Sequence, residues 1–153
     1  MAVFVRAFEP GDEVAFREIN LEWIERYFAV EAKDREVLGD PQTYILDPGG
    51  AILIAMDGDA PVGVVSLVVM ESGAVELAKM GVRPQAQGKG VGRMLMAAAV
   101  ETARARGMKR VYIETNSVLG PALKLYRDAG FKPLKEPKPS PYARADVQLE
   151  LWL

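Results

Sequence analysis

The chain of 153 residues contains no cysteine and no histidine. The first absence removes disulfides and thiol nucleophiles, the second removes imidazole bases, and together they remove the usual zinc ligands, so no metal is expected. Acid–base chemistry falls to Glu, Asp, Tyr, Lys, a terminus or water. An excess of one charge is missing too. Nineteen Lys and Arg face 21 Asp and Glu, for a formal net charge of −2, which argues against a nonspecific nucleic-acid partner. The local basic cluster Arg104, Arg106, Lys109 and Arg110 reads as a solvated helix end. No window of roughly eighteen residues is uniformly apolar, and the N-terminus lacks a basic segment followed by an apolar one. No membrane partner is therefore expected, and a cytoplasmic location fits. There is no internal repeat, no low-complexity tract and no compositional break. With 50% hydrophobic residues, residues 1–153 suit a single domain with a sizeable core.

What the chain does have is a concentrated glycine signal. The run Val82-Arg83-Pro84-Gln85-Ala86-Gln87-Gly88-Lys89-Gly90-Val91-Gly92-Arg93 is entered by a strand-like segment and left by an amphipathic helix. The first N–H groups of a helix have no intrahelical acceptor and sit at the positive end of its dipole, so the site attracts a polyanion. Gly88, Gly90 and Gly92 remove the Cβ atoms that would hold phosphate oxygens away. A Walker loop is excluded because Lys89 is followed by Gly90, which has no hydroxyl for magnesium. A dinucleotide fingerprint is excluded because its third small residue would fall at Arg93. A ligand-free glycine turn remains the alternative.

Around this run the pattern alternates. Ala2 to Ala7 reads as a strand, and Gly11 to Phe28 as a helix with Phe16, Ile19, Trp23 and Tyr27 on one face. A short helix is expected over Ala32 to Leu38. Asp47-Pro48-Gly49-Gly50 is a turn, and Ala51 to Met56 and Val62 to Met70 form a hairpin about Asp57-Gly58-Asp59. Ala74 to Val82 is a strand whose interior Gly81 suggests a bulge or a close ligand approach. The next helix runs from Val91 to Arg106, capped by Gly107. A strand over Arg110 to Thr115, a helix over Pro121 to Ala129 ended by Gly130, and a strand over Phe131 to Leu134 follow. Lys135 to Pro141 holds three prolines and reads as an extended loop, and Arg144 to Leu153 as a closing strand.

This order, together with three local features, resembles the GCN5-related N-acetyltransferase (GNAT) family over essentially the whole chain. Gln87-Gly88-Lys89-Gly90-Val91-Gly92 matches the family's Gln/Arg-x-x-Gly-x-Gly/Ala motif. Val82-Arg83-Pro84 matches its strand exit, and Ala122-Leu123-Lys124-Leu125-Tyr126-Arg127-Asp128-Ala129-Gly130-Phe131 the helix bearing its tyrosine. The resemblance implies an α/β (α+β) acyl-CoA N-acyltransferase fold: a mixed, mostly antiparallel sheet of about seven strands flanked by about four helices.

It also implies an acetyl-CoA co-substrate and direct attack of an amine on the thioester. Amides from Gln87 through Arg93, including those of Gly88, Lys89, Gly90, Val91 and Gly92, would hold the pyrophosphate. Lys89 and Arg93 would add charge if turned inward, or else face water. Met80, Gly81 and Val82 would pair with the pantetheine amides and supply an N–H for the carbonyl oxygen. Asn116 would reach the pantetheine or the acceptor, or else form an Asx turn or helix cap with Ser117.

A lysine-like amine of pKa ~10.4 is neutral in roughly one molecule in 2,500 at pH 7, so a base is useful. Glu76 falls where the family can carry one, acting through water; an ordinary outward strand residue is the alternative. Tyr126, a phenol of pKa ~10 facing a thiol of ~8.5, suits the general acid, with a packing role beside Leu125 and Phe131 as the alternative.

Trp23, Tyr27, Phe28 and Tyr142 are candidate walls of the acceptor pocket, although a Trp and a Tyr four apart on a helix also suit a core. Glu22, Glu25, Glu31 and Asp34 could attract a cation or form a solvated face. A small amine or amino-acid-like acceptor is expected, with a homodimer in keeping with the family. The competing functions are a non-catalytic acyl-CoA-binding or sensing module, and acetylation of a protein lysine or N-terminus.

Overall fold

The computed structural model describes residues 2–153. In chain order its elements are β1 (Val3–Ala7), α1 (Glu13–Tyr27), α2 (Ala32–Gly39), a π-helical turn at Gln42–Leu46, β2 (Ala51–Asp57), β3 (Ala60–Val69) and β4 (Ala74–Val82). There follow a 3-10 turn at Pro84–Ala86, α3 (Val91–Ala105), β5 (Arg110–Thr115), α4 (Gly120–Asp128), β6 (Lys132–Pro133) and β7 (Val147–Trp152). The strands form one seven-stranded sheet in the order β1-β2-β3-β4-β5-β7-β6. Every pairing is antiparallel except β4 with β5. This is the open, mixed α+β architecture that the motifs imply.

Helices cover both faces, which explains why the middle of β2 is apolar without interruption and that of β3 is broken only by the buried Ser66, whose hydroxyl donates to the Ala78 carbonyl at 2.7 Å. Alternation divides β2 between two cores: Leu53 and Ala55 join one, Ile52, Ile54 and Met56 the other. The first core is closed by α3 through Val91, Leu95, Met96 and Ala99, and by α4 through Leu123 and Tyr126. The second is closed by α1 through Phe16, Ile19 and Ile24, and by α2 through Val37 and Leu38.

The interruption in β4 is a bulge, but it lies at Lys79 rather than Gly81. Ser66 pairs with Ala78 and Val64 with Gly81, so Lys79 and Met80 together oppose one residue of β3. Lys79 takes φ +53°, a conformation that costs a non-glycine residue about 1–2 kcal/mol. The extra residue resets the alternation. Val75 and Leu77 face α3, and after the bulge Met80 and Val82 do so again. Lys79 itself turns to the α1–α2 face, where its amine meets α2. Gly81 is small for another reason: a Cβ there would stand 2.7 Å from Trp23 Cδ1 and 2.9 Å from its Nε1.

Two further departures from expectation matter. The turn before β2 is preceded by a π-helical turn, whose Ile45 carbonyl, together with the Leu67 carbonyl of β3, closes in on Gly50. The closing strand begins at Val147, not Arg144, because Arg144 is drawn out of line by carboxylates on the α1–α2 side. Shorter shifts affect other ends: β1 starts at Val3, α1 at Glu13 and α4 at Gly120, and β6 keeps only Lys132 and Pro133.

A Cβ on Gly50 would clash with the Leu67 carbonyl oxygen and stand 2.5 Å from that of Ile45, both of them backbone atoms. Gly50→Ala is therefore expected to cost about 1–3 kcal/mol. Urea unfolding followed by circular dichroism measures it; an unchanged midpoint would contradict the packing described.

Candidate active site

β4 and β5 pair at only three positions, Ala74 with Arg110, Val75 with Val111 and Glu76 with Tyr112. Beyond Glu76 the strands part, and a cavity of about 330 Å³ opens between Leu77–Val82 on one bank and Ile113–Thr115 on the other. Its far end is the start of α3, where Gln87, Gly88, Gly90, Val91 and Gly92 line the wall. Backbone N–H groups from Gly88 through Arg93 find no acceptor among the described residues. Gly88 and Gly90 take φ +75° and +82°, and a Cβ on either would meet nothing within 4 Å. The loop is thus a concave row of donors with open space before it, which is what a phosphate requires. Gly92 differs: its missing Cβ lets α4 approach, with Leu125 Cδ2 at 3.4 Å.

A second, smaller recess of about 60 Å³ adjoins the first on the α1–α2 side. Trp23, Ala78, Lys79, Glu114, Thr115 and Leu119 border both spaces, so the two adjoin where the sheet divides. Glu76, Phe28, Tyr142 and Arg144 complete the recess. Glu76 has no hydrogen-bond partner within the described chain. Burial, reinforced by the nearby Glu114 carboxylate, pushes its pKa up to about 7, with Lys79, Lys138 and Lys33 offsetting part of the rise. A carboxyl poised near neutrality in a cleft suits proton transfer.

The floor of the recess is an ion network. Lys79 Nζ donates to Asp34 at 2.6 Å and to the Tyr142 hydroxyl at 3.0 Å. The Arg144 guanidinium grips the same carboxylate with two donors, at 2.6 and 2.7 Å. Asp34 also caps α2 by accepting from the Glu31 N–H at 2.9 Å, in a reciprocal capping box. Burial alone would raise the Asp34 pKa, but the hydrogen bonds from Arg144 and Lys79 hold it well below the usual carboxylate range. Burial conversely lowers the Lys79 pKa, against the pull of Asp34. These contacts hold Lys79 in its strained conformation.

On the opposite wall, Tyr126 is 6% exposed and packs edge-on against Phe131, with ring centroids 6.2 Å apart. It also lines the larger cavity, so the packing and cavity roles coexist. Burial pushes its hydroxyl up to about 12. Trp23 lines both spaces, oriented by a hydrogen bond from Nε1 to Asn20 Oδ1 at 2.9 Å. Asn20 in turn is buried and donates to the Phe16 carbonyl. Tyr27 stands at the mouth of the larger cavity, 46% exposed.

Other residues fall elsewhere. Lys89 is exposed and does not line the cavity. Arg93 turns outward to Asp128 at 2.9 Å. Asn116 borders the recess, but its amide spans the Arg144 carbonyl at 2.7 Å and the Val118 N–H at 2.8 Å, the geometry of an Asx turn. Glu22 and Glu25 are exposed on α1, away from both spaces. Asp34 and Glu31, expected as attractors of a cation, are committed to Lys79, Arg144 and the loop before β7. Sequence reasoning missed Lys79, Arg144, Glu114 and Asn20. A lysine in an apolar strand and an asparagine on the apolar face of α1 were the signals available.

The description "Acetyltransferase (GNAT) family" belongs to a family model that matches residues 15–131. The chain belongs to that family. Mycothiol acetyltransferase of Actinosynnema mirum is 30% identical over 154 residues, which cover 97% of this chain and 48% of the relative. That of Thermomonospora curvata is 34% identical over 131 residues, covering 84% and 44%. The chain thus spans less than half the length of these curated relatives. Among solved structures, a GNAT acetyltransferase of Staphylococcus aureus Mu50 superposes with a TM-score of 0.87 at 17% identity, covering 99% of each chain. A PaiA N-acetyltransferase of Thermoplasma acidophilum, solved with coenzyme A, superposes with a TM-score of 0.78 at 15% identity and covers all of both chains. At these identities the structural likeness establishes the fold.

Asp34→Asn leaves Lys79 and Arg144 sharing a neutral partner in a buried site and is expected to cost about 3–5 kcal/mol at neutral pH. Because the folded-state pKa of Asp34 is depressed, the advantage of the wild type is full above its unfolded value of 3.8 and fades as pH falls below it. Denaturant unfolding of both proteins between pH 3 and 7 measures this. A gap that stayed constant down to pH 3 would count against the ionised network.

Proposed function

We propose that this chain is an acetyl-CoA-dependent N-acetyltransferase acting on the primary amine of a small molecule. The observation that carries the reading is the junction of two spaces at the split in the sheet: a long one ending on unpaired amides at a helix start, and a compact one holding an unpartnered carboxyl. The amides of Gly88 to Arg93 would hold the pyrophosphate, chiefly through the backbone, since the Lys89 and Arg93 side chains lie outside the cavity; the Gln87 N–H, expected to join them, donates instead to the Pro84 carbonyl at 3.3 Å. The free edge of Met80 to Val82 would pair with the pantetheine amides as an added strand, and an amide of this bulged segment would face the thioester oxygen.

Glu76 accepts a proton from the bound ammonium, directly or through water, and the neutral amine attacks the thioester carbon. As the C–N bond forms and the C–S bond breaks, the nitrogen loses a second proton and the sulfur gains one. With Tyr126 at about 12 and the thiol near ~8.5, complete transfer from the phenol would climb ~5 kcal/mol at 1.36 kcal/mol per unit. The contribution of Tyr126 is then a hydrogen bond to the departing sulfur, rather than the nearly balanced transfer that an unperturbed phenol would give. Asn116 serves the loop architecture. Trp23 and Tyr142 wall the acceptor, with Tyr27 at the coenzyme side. A recess of about 60 Å³ beneath the loop before β7 favours a small molecule over a polypeptide tail.

Release of free thiol from acetyl-CoA over an amine panel tests this. Because Glu76 must be ionised to act, kcat/KM should rise with pH through about 7 and then level. Glu76→Gln should remove that inflection and lower kcat about 10²-fold. Tyr126→Phe should lower kcat while leaving the inflection. Unchanged rates in both variants would overturn the residue roles. Coenzyme A binding by calorimetry without turnover of any amine would favour a sensing module, and no binding at all would overturn the whole reading.

A further inference from the structure

The charges around the recess do not balance, and the imbalance selects among amines. Its two cations are already committed. Arg144 spends both terminal nitrogens on Asp34, with Glu31 at 3.4 Å, and its guanidinium lies 4.6 Å above the Tyr142 ring. Lys79 is tied to Asp34 and Tyr142, its side chain only 5% exposed. Asp34 and Glu31 neutralise these two, so neither cation is free to receive an anion. Of the more distant lysines, Lys33 pairs with Glu36 at 3.6 Å, while Lys138 is exposed, stands 4.0 Å over the Tyr112 ring and does not line the recess.

Two carboxylates remain. Glu76 is unpartnered. Glu114 is held by neutral donors alone, accepting from the Tyr112 hydroxyl at 2.8 Å and from Ser140 Oγ at 2.6 Å. Each of its oxygens keeps a second acceptor site. The remaining walls are Trp23, Phe28 and Tyr142, whose rings already carry the Arg144 guanidinium at 5.9, 5.8 and 4.6 Å and offer the hydrocarbon stem of an amine an apolar surface.

We infer that the acceptor is a compact cationic amine with no carboxylate on its skeleton, and that Glu114 is the residue that excludes amino acids. This rests on the N-acetyltransferase reading and names the substrate class of that site. Glu76 meets the reacting ammonium, while Glu114 takes a second hydrogen-bond donor on the same molecule. An α-carboxylate brought into the same space would face Glu114 and Glu76, and both cations on the recess wall are already paired. Like charges so placed oppose binding strongly.

Tyramine, tyrosinamide and tyrosine, and in parallel cadaverine, lysinamide and lysine, make the test, with thiol release as the readout. The amides keep the bulk of the amino acids but remove the negative charge. The amines and amides should exceed the free acids by about tenfold or more in kcat/KM. Glu114→Gln should narrow that ratio severalfold, a change that a merely structural role would not produce. Equal or better use of the free acids overturns the inference, and so does coenzyme A binding with no turnover of any of the six compounds. Failure to bind coenzyme A in calorimetry is the separate failure of the underlying reading.

Discussion

A sheet interior does not readily tolerate unpaired backbone, yet β4 and β5 abandon one another after three residue pairs. From Leu77 onward β4 keeps its partner on the β3 side only, and β5 from Ile113 onward pairs only with β7. Two rows of peptide groups therefore face each other across a gap with their hydrogen-bonding capacity open, and only a ligand of strand-like polarity or water can satisfy them. The bulge at Lys79 sits within this gap. It resets the facing of β4, so that Met80 and Val82 return to the α3 core while the amine of Lys79 reaches α2. Trp23, admitted by the missing Cβ of Gly81, packs against the same strand from the α1 side. The gap is accordingly a built feature of the core.

Electrostatics follow from this geometry. A lysine forced into the interior at the bulge needs a counterion, and Asp34 supplies it from the first turn of α2. Arg144 completes the site from the loop before β7 and so ties that loop down over the recess. Buried ion pairs of this kind contribute little net stability, because desolvation consumes most of the attraction, but breaking one is costly. Their value here is positional. They hold the bulge, the loop and the aromatic walls in one arrangement, and by neutralising one another they leave Glu76 as the carboxyl without a partner. The same burial that raises the pKa of Glu76 to about 7 makes it able to take up and give back a proton near neutral pH.

Much of this was legible from local pattern. The glycines at 58, 88 and 90 take a left-handed conformation that few other residues adopt, and the proline at the start of α4 occupies a first-turn position where its missing N–H costs nothing, so each is used as its residue type suggests. Glu76 and Tyr126 were singled out by resemblance, and the fold brings one to the recess and the other to the cavity. Gly81 misled, because a glycine in a strand signals close approach without saying of what, and here the neighbour is an indole.

Periodicity, turn chemistry and the glycine-rich helix start lie in neighbouring residues, whose short-range sterics and backbone hydrogen bonds act within a few positions; these the amino-acid order determined by itself. The location of the bulge, the commitment of Asp34 to Lys79 and Arg144, and the outward turn of Arg93 were decided only in the folded chain. The Lys79–Asp34 contact joins residues 45 apart, and the Arg144–Asp34 contact residues 110 apart. Charges so distant in the chain are screened and independent until packing brings them together and removes the water between them, and only then does one carboxylate among many acquire two cations while another acquires none.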